Sequence, residues 1–171
     1  MLTTILVGNP KPASRTRQVA EALAGAVSDK GADPTVVDLA DHADELFSWP
    51  SALMDDLTKS VAATDLLVVA SPTYKATYTG LLKAFLDRYG NGALAGVTAV
   101  PVMTGASVGH SMAPDTNLRP LLVELGATVP SRALYFVTDD MNRMNDAVAQ
   151  WAKENAAPIR ATLSIRNGGL Q

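Results

Sequence analysis

The feature that most restricts the fold is a run with no polar residue in it, Leu66-Leu67-Val68-Val69-Ala70. A strand with one wet face alternates apolar and polar side chains. A strand without alternation is buried on both faces, as in parallel sheets covered by helices on both sides. Ser71-Pro72 follows at once, and proline cannot donate to a ladder, so the strand is expected to stop there. Four further apolar runs read as strands: Thr3 to Val7, Thr35 to Leu39, Val97 to Met103 and Ala133 to Val137.

The segments between them carry apolar residues at helical spacing. Arg15 to Ser28 has Val19, Ala22, Leu23 and Ala26 on one stripe, with Gly31 placed as a C-cap. Helices are also expected near Ser51 to Ala63 and Thr77 to Arg88, and from Pro114 or Asp115 to Leu125, where Gly126 ends the last of these. A terminal helix of about twenty residues starts near Asp140, and the chain is expected to fray from Asn167 to Gln171. Every crossover is long enough to hold a helix, so the strands are parallel and the helices lie on both faces. The fold class is therefore α/β, a three-layer sandwich of the flavodoxin-like type, with a five-stranded parallel sheet in the order 2-1-3-4-5. With 171 residues the chain is one domain over residues 1–171.

The composition narrows the chemistry. There is no cysteine, which excludes disulfides, iron–sulfur clusters and thiol nucleophiles, and two histidines make a histidine-rich metal site improbable. A net charge of −3 offers no basic face for nucleic acid or an anionic membrane. The N-terminus has no basic, then apolar, leader pattern, and no segment is long enough to span a bilayer. A soluble cytoplasmic protein is expected.

In an open sheet of this order, ligands collect at the carboxyl ends of the strands beside the switch point between strands one and three. Three loops meet there. Gly8 to Thr16 opens onto a helix, whose N-terminal N–H groups suit an anion, with Ser14 and Thr16 as hydroxyl donors and Arg15 as a charged one. The loop lacks the glycine–lysine pattern of triphosphate sites, so a monophosphate is the better match; Ser14 as a plain N-cap explains the same residues equally well. Ser71 to Gly80 carries Tyr74 and Tyr78, suited to a flat ring, although one of the two is expected to pack under the next helix. Lys75 in this loop is a solvated charge or an attraction for an anionic ligand. Thr104 to His110 is rich in small residues that let backbone N–H groups approach a planar ligand. His110 is an acid–base candidate there, with a structural hydrogen-bonding role the commoner alternative.

Taken together, Gly8-Asn9-Pro10 with Ser14-Arg15-Thr16, then Ser71-Pro72-Thr73-Tyr74-Lys75-Ala76-Thr77-Tyr78-Thr79-Gly80-Leu81-Leu82-Lys83, then Thr104-Gly105, resemble the NAD(P)H-dependent FMN reductase family. The likeness is greatest to the flavin reductases of two-component monooxygenases, the alkanesulfonate type. These read G-S-P…S-R-[ST], then [ST]-P-x-Y-x-x-[ST]-Y-x-G-x-L-K, and the second motif is the more specific. The resemblance spans nearly the whole chain, including Leu118 to Leu122 and Leu163 to Arg166. It implies FMN with its phosphate on Ser14, Arg15 and Thr16, its ring along Pro72, Thr73 and Tyr74, and its pyrimidine edge near Thr104 and Gly105. Asn9 stands where serine is usual, which implies altered phosphate geometry, and Thr116 stands where some members carry tyrosine.

The activity implied is hydride transfer from NADH or NADPH to FMN, with reduced flavin passed to a flavin-dependent monooxygenase. Backbone N–H groups at Thr104 and Gly105 are expected to stabilise the charge that develops near flavin N1 and O2. Only 5% of residues are aromatic and neither Trp49 nor Trp151 lies in a ligand loop, so one flavin face is expected to stay open and FMN to exchange. Two rivals share the fold: an FMN-bound quinone, azo or metal-ion reductase, and a non-enzymatic electron carrier. Apolar faces around Leu81 to Leu86 and Leu118 to Leu125, with the dimers and tetramers of the family, imply a homo-dimer or homo-tetramer.

Overall fold

The computed structural model describes residues 1–28 and 33–168, residues 166–168 by backbone alone. Its elements in chain order are β1 (Thr3–Val7), α1 (Arg15–Val27), β2 (Thr35–Asp38), α2 (Ala52–Ala62), β3 (Leu66–Pro72), α3 (Gly80–Leu86), β4 (Thr98–Gly105), α4 (Arg119–Glu124), β5 (Leu134–Val137) and α5 (Met144–Gly168). Short 3-10 turns cover Leu39–His42, Val108–His110 and Thr138–Arg143, and a π-helical turn, Pro114–Leu118, runs into α4. The sheet is parallel throughout, in the order β2-β1-β3-β4-β5. The flavodoxin-like arrangement read from the run pattern is the arrangement found.

Every residue of β3 is buried, and alternate side chains serve two cores. Leu66, Val68 and Ala70 pack with Val19 and Leu23 of α1 and Trp151 and Ile159 of α5. Leu67 and Val69 pack with Met54 and Val61 of α2, Leu82 and Phe85 of α3, and Leu122 of α4. Those two layers of helix are what an unalternated strand demands. Leu82, Phe85 and Leu86 are buried in this second core, as are Leu118 and Leu122, whereas Leu81 and Leu121 are partly buried and Val123 is exposed.

Several boundaries differ from the sequence expectation, each for a local reason. β3 does not stop at Ala70 but continues through Pro72, which pairs with Thr104. Successive N–H groups of a strand point to opposite edges, and the N–H of Thr73 goes to the carbonyl of Thr104 at 2.7 Å. Pro72 therefore turns its missing donor toward β1, which has ended opposite Ala70, and no ladder bond is lost. β4 likewise runs to Gly105 rather than Met103. α3 starts at Gly80 rather than Thr77, because Thr79 is its N-cap, its hydroxyl accepting from Leu82 N while donating to the carbonyl of Gly8. β2 ends at Asp38, since Leu39 begins the 3-10 turn, and β5 starts one residue late, at Leu134. Ser28, Ser51 and Ala63 cap their helices from just outside, and Asp140 lies in the turn before α5 rather than at its start. Gly126 ends α4 with a left-handed backbone (φ 93°). Gly31 lies outside the described residues. α5 continues through Asn167 and Gly168, where fraying was expected, and residues 169–171 lie outside the described part.

Gly8, where the chain leaves β1, sits against α3: a Cβ there would lie 2.4 Å from Leu82 Cβ. Gly8→Ala is expected to destabilise the fold by about 1–3 kcal/mol through overpacking. Gly25→Ala, on the exposed side of α1 with nothing within 4 Å, should stabilise it by about 0.5–1 kcal/mol. Urea unfolding midpoints of the two variants would check the opposite signs.

Candidate functional site

The carboxyl ends of β1, β3, β4 and β5 frame a cleft of about 650 Å³, lined by Asn9, Lys11, Ala13, Ser14, Arg15, Thr16, Gln18, Pro72, Thr73, Tyr74, Thr104, Gly105, Ala106 and Thr138. That volume falls within the range of about 300–1,000 Å³ usual for small-ligand sites.

The first corner is the turn from β1 into α1. Ser14 caps the helix, its hydroxyl accepting from Arg17 N at 3.3 Å and its carbonyl from Gln18 N at 3.1 Å. The N–H groups of Arg15 and Thr16, in the first turn, have no hydrogen-bond partner among the described residues and carry the positive end of the helix dipole. Ala13 reaches this turn with φ 49° and is held there by the buried carboxylate of Asp38, which accepts its N–H at 3.3 Å and faces Arg17 Nη1 at 3.7 Å. The hydrogen bond to Glu21, followed by the charges of Glu21 and Asp38, raises the guanidinium pKa of Arg17 still further and commits that side chain to the scaffold.

Asn9 is 9% exposed, and both ends of its amide are used. Its Oδ1 accepts from Lys11 N at 2.9 Å and its Nδ2 donates to Thr16 Oγ1 at 3.0 Å. Thr16 Oγ1 in turn shares a hydrogen bond of 2.7 Å with Thr104 Oγ1. Asparagine at position 9 thus braces the loop from within, and the Thr16 hydroxyl, expected to face a ligand, is engaged between Asn9 and Thr104. The first corner and the end of β4 are one hydrogen-bonded unit.

The second corner follows β3. Tyr74 and Thr77 exchange two backbone hydrogen bonds, 2.8 and 3.2 Å, around a two-residue turn in which Lys75 and Ala76 have φ 52° and 69°. Neither is glycine, and positive φ at both centres is the geometry of a type I′ hairpin. Asn117 Nδ2 donates to Ala76 O at 3.2 Å and holds the turn from the direction of α4. Of the two tyrosines, Tyr78 packs on the core and Tyr74 remains 52% exposed at the cleft. Lys75 projects at the turn and is not among the lining residues. Thr73 Oγ1 is buried with no hydrogen-bond partner among the described residues.

The third corner is the end of β4. A Cβ on Gly105 would lie 2.0 Å from Tyr135 Oη, so any other residue would have to displace the Tyr135 hydroxyl. Tyr135 Oη donates to Ser107 O at 2.8 Å, which fastens the following loop from beneath. Thr104 and Gly105 lie within the ladder, paired with Pro72 and Val137, so their N–H groups point along the sheet. The expectation that they offer free backbone donors is corrected: the N–H groups that leave the ladder begin at Ala106 and Ser107. His110 lies on the exposed 3-10 turn and does not line the cleft.

Nine of the ten residues expected to bind a cofactor line this one cleft, Lys75 being the exception. The other lining residues are Lys11, Ala13 and Ala106, which lie in the expected loops without having been named as flavin ligands, and Gln18 and Thr138, which were missed, as was Asp38 beneath the cleft. Asp38 was legible as an acid closing a β-branched strand, whereas Thr138 reaches the site only through sheet order. Tyr74 is the one aromatic lining residue among those described: Trp49 stacks over Arg88 at 4.0 Å and Trp151 belongs to the α1–α5 core. No group of three or more described His, Asp or Glu residues could hold a metal ion.

The doubly wound parallel sheet, with an uncommitted helix start and a ligand-sized cleft at its carboxyl end, defines a protein of the flavodoxin-like class. Residues 1–142 match the family model described as NADPH-dependent FMN reductase, and the chain belongs to that family. Among curated relatives, an FMN reductase (NADPH) of Pseudomonas putida is 32% identical over 74% of this chain and 66% of its own. An FMN-dependent NADPH-azoreductase of Staphylococcus haemolyticus is 32% identical over 94% and 89%. The chain spans less than two thirds of the length of the FMN reductases it matches first, 66% and, for the Escherichia coli protein, 41%. A solved NADH:FMN oxidoreductase in its apo form superposes with a TM-score of 0.74 at 30% identity, covering 92% of this chain and 91% of that one.

The Thr16–Thr104 contact can be measured. Thr16→Val and Thr104→Val should each destabilise the chain, by about 1 kcal/mol. In a double-mutant cycle followed by thermal or urea unfolding, the pair should couple by at least about 0.5 kcal/mol.

Proposed function

We propose that the chain is an NAD(P)H-dependent FMN reductase: it accepts hydride from NADH or NADPH onto FMN and supplies reduced flavin to a flavin-dependent monooxygenase in the cytoplasm. The whole chain would serve as one FMN-binding domain. The observation that carries the reading is the pairing, in one cleft, of a helix start open to an anion with a buried hydroxyl, Thr73 Oγ1, that has no partner among the described residues. An unpaired buried hydroxyl is costly, and a ligand that supplies its partner removes the cost. FMN, with a phosphate at one end and a hydrogen-bonding ring at the other, fits both corners.

In this reading the phosphate is held by the N–H groups of Arg15 and Thr16 and by the Arg15 guanidinium. Ser14 and Asn9 fix the turn that presents them, and Lys11 adds charge. Pro72, Thr73 and Tyr74 form the wall for the ring, Lys75 adds positive charge at the hairpin, and Thr104 and Gly105 form the floor at the pyrimidine edge. The N–H groups of Ala106 and Ser107, steadied by Tyr135, are the donors for negative charge developing there. The cofactor supplies the two-electron hydride chemistry, so no side chain need act as a base. With Tyr74 as its single aromatic lining residue, the cleft leaves one ring face for nicotinamide and a path for FMN to leave. Exposed Phe47, Trp49, Leu53 and Val123 are the apolar surface available to the proposed homo-dimer or homo-tetramer.

The names of the relatives agree with this reading: FMN reductase (NADPH) in Pseudomonas putida and Escherichia coli, and the NADH-dependent FMN reductases SfnE and SfnF of Pseudomonas putida. The azoreductase relative, matched over nearly its full length, favours a second reading in which FMN stays bound and an azo dye or quinone takes the open face.

Steady-state oxidation of NADH and of NADPH separates them. Free FMN should behave as a saturable substrate consumed far beyond the enzyme concentration. If one equivalent of FMN restores full activity toward an azo dye and excess adds nothing, the second reading holds instead. If neither nucleotide reduces FMN in the presence of the protein, reductase activity is ruled out and the electron-carrier reading returns.

A further inference from the structure

We propose that Asp139 is a specificity-determining residue of the cleft: its carboxylate competes with a phosphate monoester for Arg15 and thereby weakens the hold on the phosphorylated flavin. The inference deepens the flavin reading above and rests on it.

Arg15 is the single guanidinium that lines the cleft among the described residues. Its Nη1 donates to the carbonyl of Thr138 at 2.9 Å and lies 3.9 Å from Asp139 Oδ1. The side chain thus reaches from the first residue of α1 across the cleft mouth to the turn after β5. Arg17, one turn-position away, is not available in its place, because Glu21 and Asp38 hold it. A phosphate at the α1 N-terminus that recruits a guanidinium therefore recruits one that already has a carbonyl and a carboxylate, with Lys11 the other cation lining the cleft.

Arg15 and Asp139 have side chains 57% and 78% exposed. Water screens such a pair, so it is a weak competitor rather than a lock. It is also well placed: a dianionic phosphate either displaces Asp139 from Arg15 or sits beside its charge. Both cases penalise FMN and spare riboflavin, which has the same ring and no phosphate. Thr138 joins the two ends of the site, since its hydroxyl donates to Gly105 O at 3.4 Å while its carbonyl holds Arg15. The competition consequently acts at the phosphate corner and leaves the ring corner intact.

The test is flavin binding by fluorescence quenching or calorimetry, with FMN and riboflavin measured on the same protein. Asp139→Asn should tighten FMN by about two- to fivefold, the equilibrium shift an exposed ion pair supports. Riboflavin affinity should not change, and the gain should shrink at high salt. Asp140→Asn is the control: it removes the same charge one residue later, where the side chain lines a separate groove with Phe136, Arg143 and Gln150. It should shift FMN by less than half as much. Asp139→Ser should reproduce Asp139→Asn, with thermal melting showing both variants folded. An unmoved FMN affinity in Asp139→Asn, an equal shift for riboflavin, or an equal effect of Asp140→Asn would overturn the inference while leaving the flavin site in place. A wild-type protein that binds neither flavin would overturn the reading on which it rests.

Discussion

The cleft exists because the three central strands end at different heights. β3 is buried on both faces, so its backbone has no water and must find its partners in β1 and β4. β4 accompanies it to the pairing of Pro72 with Thr104, but β1 leaves after Val7, opposite Ala70. Beyond that point one edge of β3 is open. Proline is the residue that can stand at such an edge without wasting a donor, and Pro72 stands there. Gly8 turns away at the same level, close enough to α3 that no Cβ fits, and its carbonyl takes the hydroxyl of Thr79 that starts that helix. The switch point of the sheet, the start of α3 and the mouth of the cleft are consequences of this one difference in strand length.

Around that opening, polar side chains act as struts between elements that are far apart in sequence. Asp38 at the end of β2 reaches the turn before α1, Asn9 and Thr16 reach Thr104 on β4, and Thr138 after β5 reaches Gly105. Each contact is buried or half-buried, where a hydrogen bond is hard to replace by water. The struts hold four strand ends to one geometry while leaving the helix-start N–H groups uncommitted. A rigid frame around unsatisfied donors is the arrangement that preorganised binding needs.

How much of this is legible in the sequence depends on whether a feature is local. The run Leu66 to Ala70, the caps at Ser14 and Ser51, and Gly126 after α4 act over a few residues, and their structure follows from them directly. The three loops were found because the order of the strands, rather than their composition, brings them together. Features that depend on a neighbour escaped. Pro72 reads as a stop until it is known that β1 has already ended. Thr77 reads as helix until Thr79 is seen to cap α3 from Gly8. Lys75 and Ala76 carry no sign of their left-handed backbone, since neither is glycine or asparagine; the hairpin is imposed by paired hydrogen bonds and by Asn117. Arg15 was legible as a cation near an anion site, but its hold on Thr138 and Asp139 crosses 123 residues of chain.

The two ends of the cleft are built to different standards, and this bears on the proposed function. At the proposed ring corner, Gly105 lies hard against the Tyr135 hydroxyl, with Thr73 Oγ1 in ordinary contact, so a side chain at 105 would have to push Tyr135 aside. Among the described residues no aromatic ring besides Tyr74 lines the cleft. At the phosphate corner the backbone donors are fixed by Ser14 and Asp38, whereas the one guanidinium is exposed and already shared. An electron carrier gains from holding its flavin at both ends and on both faces. A protein that must orient a flavin for hydride transfer and then part with it gains from a strict ring corner and a yielding phosphate corner. In the proposed function, that difference between the two corners would favour release over retention.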